Sequence, residues 1–176
     1  MDGCTENEDQ IALRRWLTAG LRIPEVVDLH GDAGYLLNNM IAKYTLAASA
    51  YAVSEPAETL LLQQGVDFER TYPRRAFYGK RSGRNPFIYE HAVPAGVLRK
   101  ELLRTSGDDQ RILEILKGAG PVAVLLRTED ELLRAAGLGS RMPDGWRIGD
   151  DPLARYRAVG IRLGPRTLRV EGAICR

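Results

Sequence analysis

Apolar positions along this chain recur mostly at helical spacing. Residues 9–20 (DQIALRRWLTAG) carry apolar Ile11, Leu13, Trp16 and Leu17, and Gly20 supplies a stop. The longest periodic run, from about Tyr35 to Val53, is rich in Ala and predicts a central core helix. Ser54 then stands as an N-cap ahead of Pro56, and Gly65 closes a third helix. From 66 to 93 the period is lost. Gly79, Gly83 and Pro86 interrupt that stretch, which reads as a long ordered loop with short strands, a kind of segment that usually carries function.

Helices resume at PAGVLRKELLRTS (94–106) and DDQRILEILKG (108–118). PVAVLL (121–126) predicts a short buried strand, and TEDELLRAAG (128–137) a helix whose Thr128 and Glu131 form a capping box. SRMPDGW is a turn, and DDPLARYRAVG a short helix with Pro152 in its first turn. GIRLGPRTLRV is expected to close as a hairpin through Gly164 and Pro165. The pattern contains no internal repeat and no linker. It predicts a mainly α fold with a small β element, an α-rich α+β class, in one compact domain over 1–176.

Composition alters this picture little; the distribution of charge alters it more. Net charge is only +2, yet from Arg70 to Tyr89 there are six basic residues and no acidic one. The same window holds five of the chain's twelve aromatic residues. Arg supplies 21 of the 25 basic side chains, and its planar fork suits phosphate better than an ammonium does. Arg and Lys spaced through a Gly-rich loop follow a phosphate backbone while Tyr and Phe pack on sugars or bases. The plain alternative is a solvated basic loop whose rings turn into the core.

Cys4 and Cys175 lie near opposite ends with no CxxC pair and no clustered His, which argues against structural zinc and for free thiols in a reducing cytoplasm. No apolar run is long enough for a membrane span, and the acidic start MDGCTENEDQ does not read as a signal peptide. No phosphate loop, dinucleotide fingerprint or metal-spaced carboxylate set is present, so no cofactor and no metal is expected. FIYEHAVP resembles the first part of an HNH nuclease, with His91 as the residue that activates water. No second His follows it, and the preferred reading is that His91 and Glu90 hold the loop in place or touch a phosphate. His30, in DLHGDAG before the long helix, stands where a helix start favours an anion.

Within the basic window, Tyr72, Pro73, Arg74, Arg75 and Ala76 spell Tyr-Pro-x-x-Ala. This string resembles the sulfur pocket of the DNA phosphorothioate sulfur-binding domain found in McrA-type, type IV restriction endonucleases. RMPDGW…DPLARYRAVGI is also similar to that family, without an assignable role. The resemblance implies an α-rich domain of about this size that binds double-stranded phosphorothioate-modified DNA for restriction. It places Tyr72, Pro73 and Ala76 around the sulfur. It places His30, Arg74, Arg75, Lys80, Arg81, Arg84, His91, Arg99 and Lys100 against the DNA. The residue after His30 is Gly31, where a basic one is expected. McrA-type enzymes add an HNH domain, and none is complete here. The implied role is a non-enzymatic recognition module working with a separate nuclease domain or subunit. An HNH-like nuclease using His91, or a nucleic-acid binder indifferent to sulfur, are the other readings.

Overall fold

The computed structural model describes residues 6–28, 32–74, 76–77 and 85–171. Its centre is a five-stranded mixed sheet, not the small β element that the helical periodicity predicts; helix accounts for 46% and strand for 17% of the chain, a compact α/β fold. In chain order the elements are α1 (Glu8–Gly20), α2 (Pro24–Asp28), α3 (Asp32–Leu46), β1 (Ala50–Ser54), α4 (Glu55–Gln63), β2 (Thr71–Tyr72) and β3 (Phe87–His91). There follow α5 (Ala95–Leu102), α6 (Asp109–Lys117), β4 (Val122–Leu126), α7 (Arg127–Ala135), α8 (Ala154–Ala158) and β5 (Leu163–Val170). The strands lie in the order β2-β5-β1-β4-β3. β1 and β4 are parallel at the centre, flanked by antiparallel β5 and β3, and β2 runs parallel to β5.

Two expectations fail here. The run from Tyr35 to Val53 is not one helix: α3 stops at Leu46, and Ala50–Ser54 becomes the strand β1. Leu163–Val170 is one continuous strand along β1 instead of a hairpin at Gly164. The expected loop does carry short strands, β2 at Thr71–Tyr72 and β3 at Phe87–His91. β1 is covered on both faces, so the alternation that marks a half-exposed strand is absent from it and it reads as more of the helix. β5 instead takes its extended form from pairing along β1, a partner far away in the chain.

β1, β3 and β4 send alternate side chains to two separate cores. Tyr51, Val53, Phe87, Val122, Val124, Leu168 and Val170 face α4 through Ala57 and Leu61, with Phe68 beside them. Ala123 and Leu125 face the other way, onto Leu133 of α7 and onto Leu138, Tyr156 and Ile161. A third core joins α1, α3, α5 and α6 through Leu17, Leu21, Leu37, Ile41, Leu98, Leu102, Ile112 and Ile115.

The helix starts follow local chemistry. Asn7 caps α1 by accepting from the Gln10 N–H, while Gln10 accepts from the Asn7 N–H. Ser54 caps α4 through the Ala57 N–H, as its position before Pro56 predicts. The expected Thr128–Glu131 box is replaced two residues earlier. α7 begins at Arg127, and the Glu129 carboxylate accepts both the Leu126 N–H at 2.8 Å and the buried Ser54 hydroxyl at 2.6 Å. These two residues sit where β1 and β4 send their helices to opposite faces of the sheet. That crevice commonly takes a ligand in open α/β sheets. Here the Ser54–Glu129 pair fills it.

The segment without an assigned role, 141–161, acts as a brace. Arg155 of α8 is 0% exposed. Its guanidinium donates to the Ala92 and Leu138 carbonyls at 2.9 Å and to Gly139 at 3.4 Å, and it also binds the His91 carbonyl and the Glu90 carboxylate. One side chain therefore ties the β3–α5 junction to the end of α7. The Trp146 indole donates to the Asp151 carbonyl at 2.9 Å and orders the turn that leads into it.

Candidate nucleic-acid interface

The Tyr-Pro-x-x-Ala string forms a turn at the edge of the sheet. The Ala76 N–H donates to the Pro73 carbonyl at 2.8 Å, which brings the first and last residues of the turn together. Pro73 and Ala76 are both exposed. Tyr72, in the edge strand β2, is half-buried, and its hydroxyl accepts the Asp67 N–H at 3.0 Å. Its ring meets Phe77 edge-to-face at 5.2 Å, and Phe77 meets the buried Phe87 at 6.4 Å. The Arg70 guanidinium lies over the Tyr72 ring at 5.9 Å. The rings of Tyr72, Phe77, Phe87 and Tyr89 thus turn inward and seat the turn on the sheet, while the Pro ring and the Ala methyl stay at the surface.

Arg74 fastens the same turn from the other side. It donates to the Ala48 carbonyl at 3.3 Å and the Tyr51 hydroxyl at 3.0 Å, and to the Ala47 carbonyl at 3.5 Å and that of Glu171 at 2.5 Å. Tyr51 packs on Tyr89 at 5.1 Å. Burial pushes both phenols up to about 12, so they stay neutral. Among the residues expected to hold DNA, Arg74 is committed to the fold, and its role is to position the turn. Arg75, Lys80, Arg81, Arg84 and His30 lie outside the described residues.

His91 sits at the end of β3 with Nδ1 2.8 Å from the Thr45 hydroxyl of α3. Burial, with the nearby Arg155 charge, lowers it to about 4, so at neutral pH it is uncharged. Glu90 is raised by burial, which outweighs the pull of Arg155. Among the described residues no group of three His, Cys, Asp or Glu side chains is placed to hold a metal.

Arg99 and Lys100 stand apart from the turn. Arg99 of α5 lies across Gly34 near the start of α3, whereas Arg74 grips the carbonyls just past its C-terminal end. Lys100 is exposed. The structure therefore brings Tyr72, Pro73, Arg74 and Ala76 together and leaves Arg99 and Lys100 at the far end of a helix.

Two shallow surface depressions, of about 430 and 460 Å³, are lined by other residues. One lies between Asp67–Glu69 and Pro165–Arg169, the other beside Glu90, Asp130 and Ser140. Arg155 escaped notice in the sequence because nothing local separates it from the other arginines; only the carbonyls gathered around it single it out. Among the described residues no helix is long and apolar enough to cross a membrane. No family model matches the chain, and neither the curated proteins nor the solved structures yield a match.

Proposed function

We propose that this domain binds double-stranded DNA and recognises the sulfur of a phosphorothioate linkage at the Tyr72–Ala76 turn, as the recognition part of a modification-dependent restriction system in the cytoplasm. The observation that supports this most is the turn closed by the Ala76–Pro73 hydrogen bond, which leaves a Pro ring and a methyl group side by side at the surface and backs them with the Tyr72 ring.

The chemistry follows from what those groups lack. A phosphorothioate replaces one non-bridging oxygen by a larger, softer and more weakly accepting sulfur. Against Pro, Ala and aromatic carbon an ordinary phosphate oxygen loses water and gains no donor, at a cost of about 1–3 kcal/mol. Sulfur loses less and gains dispersion contacts, as thioethers do beside rings. Selectivity then arises mainly from rejecting oxygen. The basic residues of the window supply affinity that does not depend on the modification. Tyr72, Pro73 and Ala76 form the sulfur pocket. Arg75, Lys80, Arg81, Arg84, Arg99 and Lys100 hold the backbone, with His30 and His91 nearby. Cleavage belongs to a separate nuclease domain or subunit.

The test is a paired titration of one duplex with and without a single phosphorothioate of natural stereochemistry, in matched salt. The modified duplex should bind about tenfold tighter or more, since 1.4 kcal/mol is a factor of ten. Equal dissociation constants would leave only a generic binder.

A further inference from the structure

Helix α1 carries an apolar line that the core does not use. Ala12, Trp16 and Ala19 recur at spacings of four and three residues and share one face, turned away from the buried Leu17 and Leu21 side. The Arg22 and Ile23 N–H groups still donate back to the Ala19 and Gly20 carbonyls, so the chain keeps turning and Ile23 extends the line. Ala12 and Ala19 are exposed, and Trp16 and Ile23 remain 50% and 48% exposed. Small and large side chains therefore alternate along the face. Glu8, Arg15 and Arg22, each seven residues from the next, run along one edge of it and are all exposed. Arg22 is steadied by its Nε on the Gly107 carbonyl at 3.2 Å. Among the described residues neither Arg15 nor Arg22 makes an ion pair.

We propose that this face docks an amphipathic helix of a protein partner, one whose apolar ridge is flanked by acidic residues. Large side chains on the partner fill the spaces over Ala12 and Ala19, and Trp16 and Ile23 enter gaps in the partner. Carboxylates along the partner's edge meet Arg15 and Arg22, while a basic residue meets Glu8, and that order of charges sets the direction of docking. The 13 residues of α1 are about 20 Å long at ~1.5 Å per residue, which spans about four turns of a partner helix. A second copy of α1 does not supply this chemistry. Antiparallel pairing that sets Trp16 against Ala19 or Ala12 brings Arg15 opposite Arg22 or Arg15 of the other copy, and parallel pairing sets Trp16 against Trp16. A phosphate backbone fits no better, since it would lose water against Trp16 and Ile23 beside the Glu8 carboxylate. Helix α1 starts next to the turn: its cap Asn7 donates at 2.7 Å to the Ala47 carbonyl that Arg74 also reaches, and the helix leads away from there. The partner thus leaves the turn open. The inference goes beyond the DNA-binding reading and does not depend on it.

The probe is a synthetic helical peptide of about 20 residues, with Leu at the two core positions of each heptad and Glu at the positions that face Arg15 and Arg22. A twin carries Lys in place of Glu, and a third peptide has the same composition shuffled. Each is titrated into the full chain and followed by tryptophan fluorescence and by amide shifts in nitrogen-15 spectra. The Glu peptide should bind, move amides along α1 and shift the emission to the blue, and the Lys twin should bind about fivefold more weakly or worse. Trp16→Ala should weaken the Glu peptide about tenfold or more. Arg15→Glu combined with Arg22→Glu should reverse the order of the two peptides, with circular dichroism confirming the fold. Arg15→Glu alone, which spares the Arg22–Gly107 hydrogen bond, serves where the double variant is poorly folded. The surface is overturned if the Glu and Lys peptides bind alike, if the shuffled one binds as well, or if the shifted amides lie away from α1. It is also overturned if the chain dimerises in sedimentation and Trp16→Ala abolishes the dimer, which gives the face to a second copy. The same holds if Trp16→Ala weakens duplex binding, which gives the face to DNA. A chain that ranks the peptides as expected but binds no duplex leaves this surface standing and refutes the DNA-binding reading.

Discussion

Replacing Arg155 tests whether the buried brace holds this fold together. The side chain is fully buried and its guanidinium reaches the carbonyls of His91, Ala92, Leu138 and Gly139 and the Glu90 carboxylate. Arg155→Ala removes the donor from all five acceptors at once and leaves Glu90, whose side chain is 20% exposed, without its counter-ion. Breaking a buried pair by deleting one partner costs about 3–5 kcal/mol. The orphaned carbonyls add to this, though less than additively, because water enters the space. Against a typical total of about 5–15 kcal/mol the loss is severe. For a chain of this length it lowers Tm by about 10 °C or more.

Urea unfolding followed by far-ultraviolet circular dichroism at pH 7 measures the effect, with the midpoint and the slope fitted together. Arg155→Lys keeps the charge but not the fork, and should fall between the two. Glu90→Gln supplies the decisive comparison. In the wild-type background it weakens the pair and destabilises. In the Arg155→Ala background it removes an unpaired buried charge and should restore about 1 kcal/mol or more. The reasoning is refuted if Arg155→Ala unfolds within about 1 kcal/mol of the wild type, or if Glu90→Gln costs the same in both backgrounds.

Enlarging Ala76 to Leu should bring binding of modified DNA down toward the unmodified level while the salt slope stays unchanged, as read by salt-dependent titration of both duplexes. Arg74→Ala should lower stability by about 1–2 kcal/mol and reduce sulfur preference, because the lost hydrogen bonds seat the turn; a change in salt slope alone would contradict this. His91, lowered to about 4 when folded from an ordinary value near 6.5, binds its proton more readily in the unfolded chain. Stability should therefore fall as pH drops from about 6.5 to about 4, by up to about 3 kcal/mol, and His91→Gln should flatten that dependence in urea titrations at pH 7 and 4.5. The isolated chain should not nick DNA with magnesium, manganese or zinc; cleavage abolished by both EDTA and His91→Ala would restore the nuclease alternative.

Much of the local structure was legible because it is encoded locally. The periodic run in α1, the Ser54 cap before Pro56, the start of α5 at Pro94 and the strand Val122–Leu126 each depend on neighbours a few residues away. The grouping of Tyr72, Pro73 and Ala76 was legible for the same reason, since a turn joins residues close in sequence. The excess of positive charge between Arg70 and Tyr89 needed no structure at all.

What only the tertiary structure decided involves partners far apart in the chain. Ala50–Ser54 is a strand because β4 and β5, from more than sixty residues away, pair with its two edges. By itself the segment continues the apolar run of α3, and burial on both faces hides its alternation. Arg74 and Arg99 read alike as basic residues near a loop. The fold spends one on the carbonyls beyond α3 and lays the other across Gly34 near the start of that helix. Arg155 became the central buried cation only when the β3–α5 junction and the end of α7 pointed their carbonyls at it. A charge's cost or use depends on the dielectric and the donors and acceptors around it, and the chain assembles those only on folding.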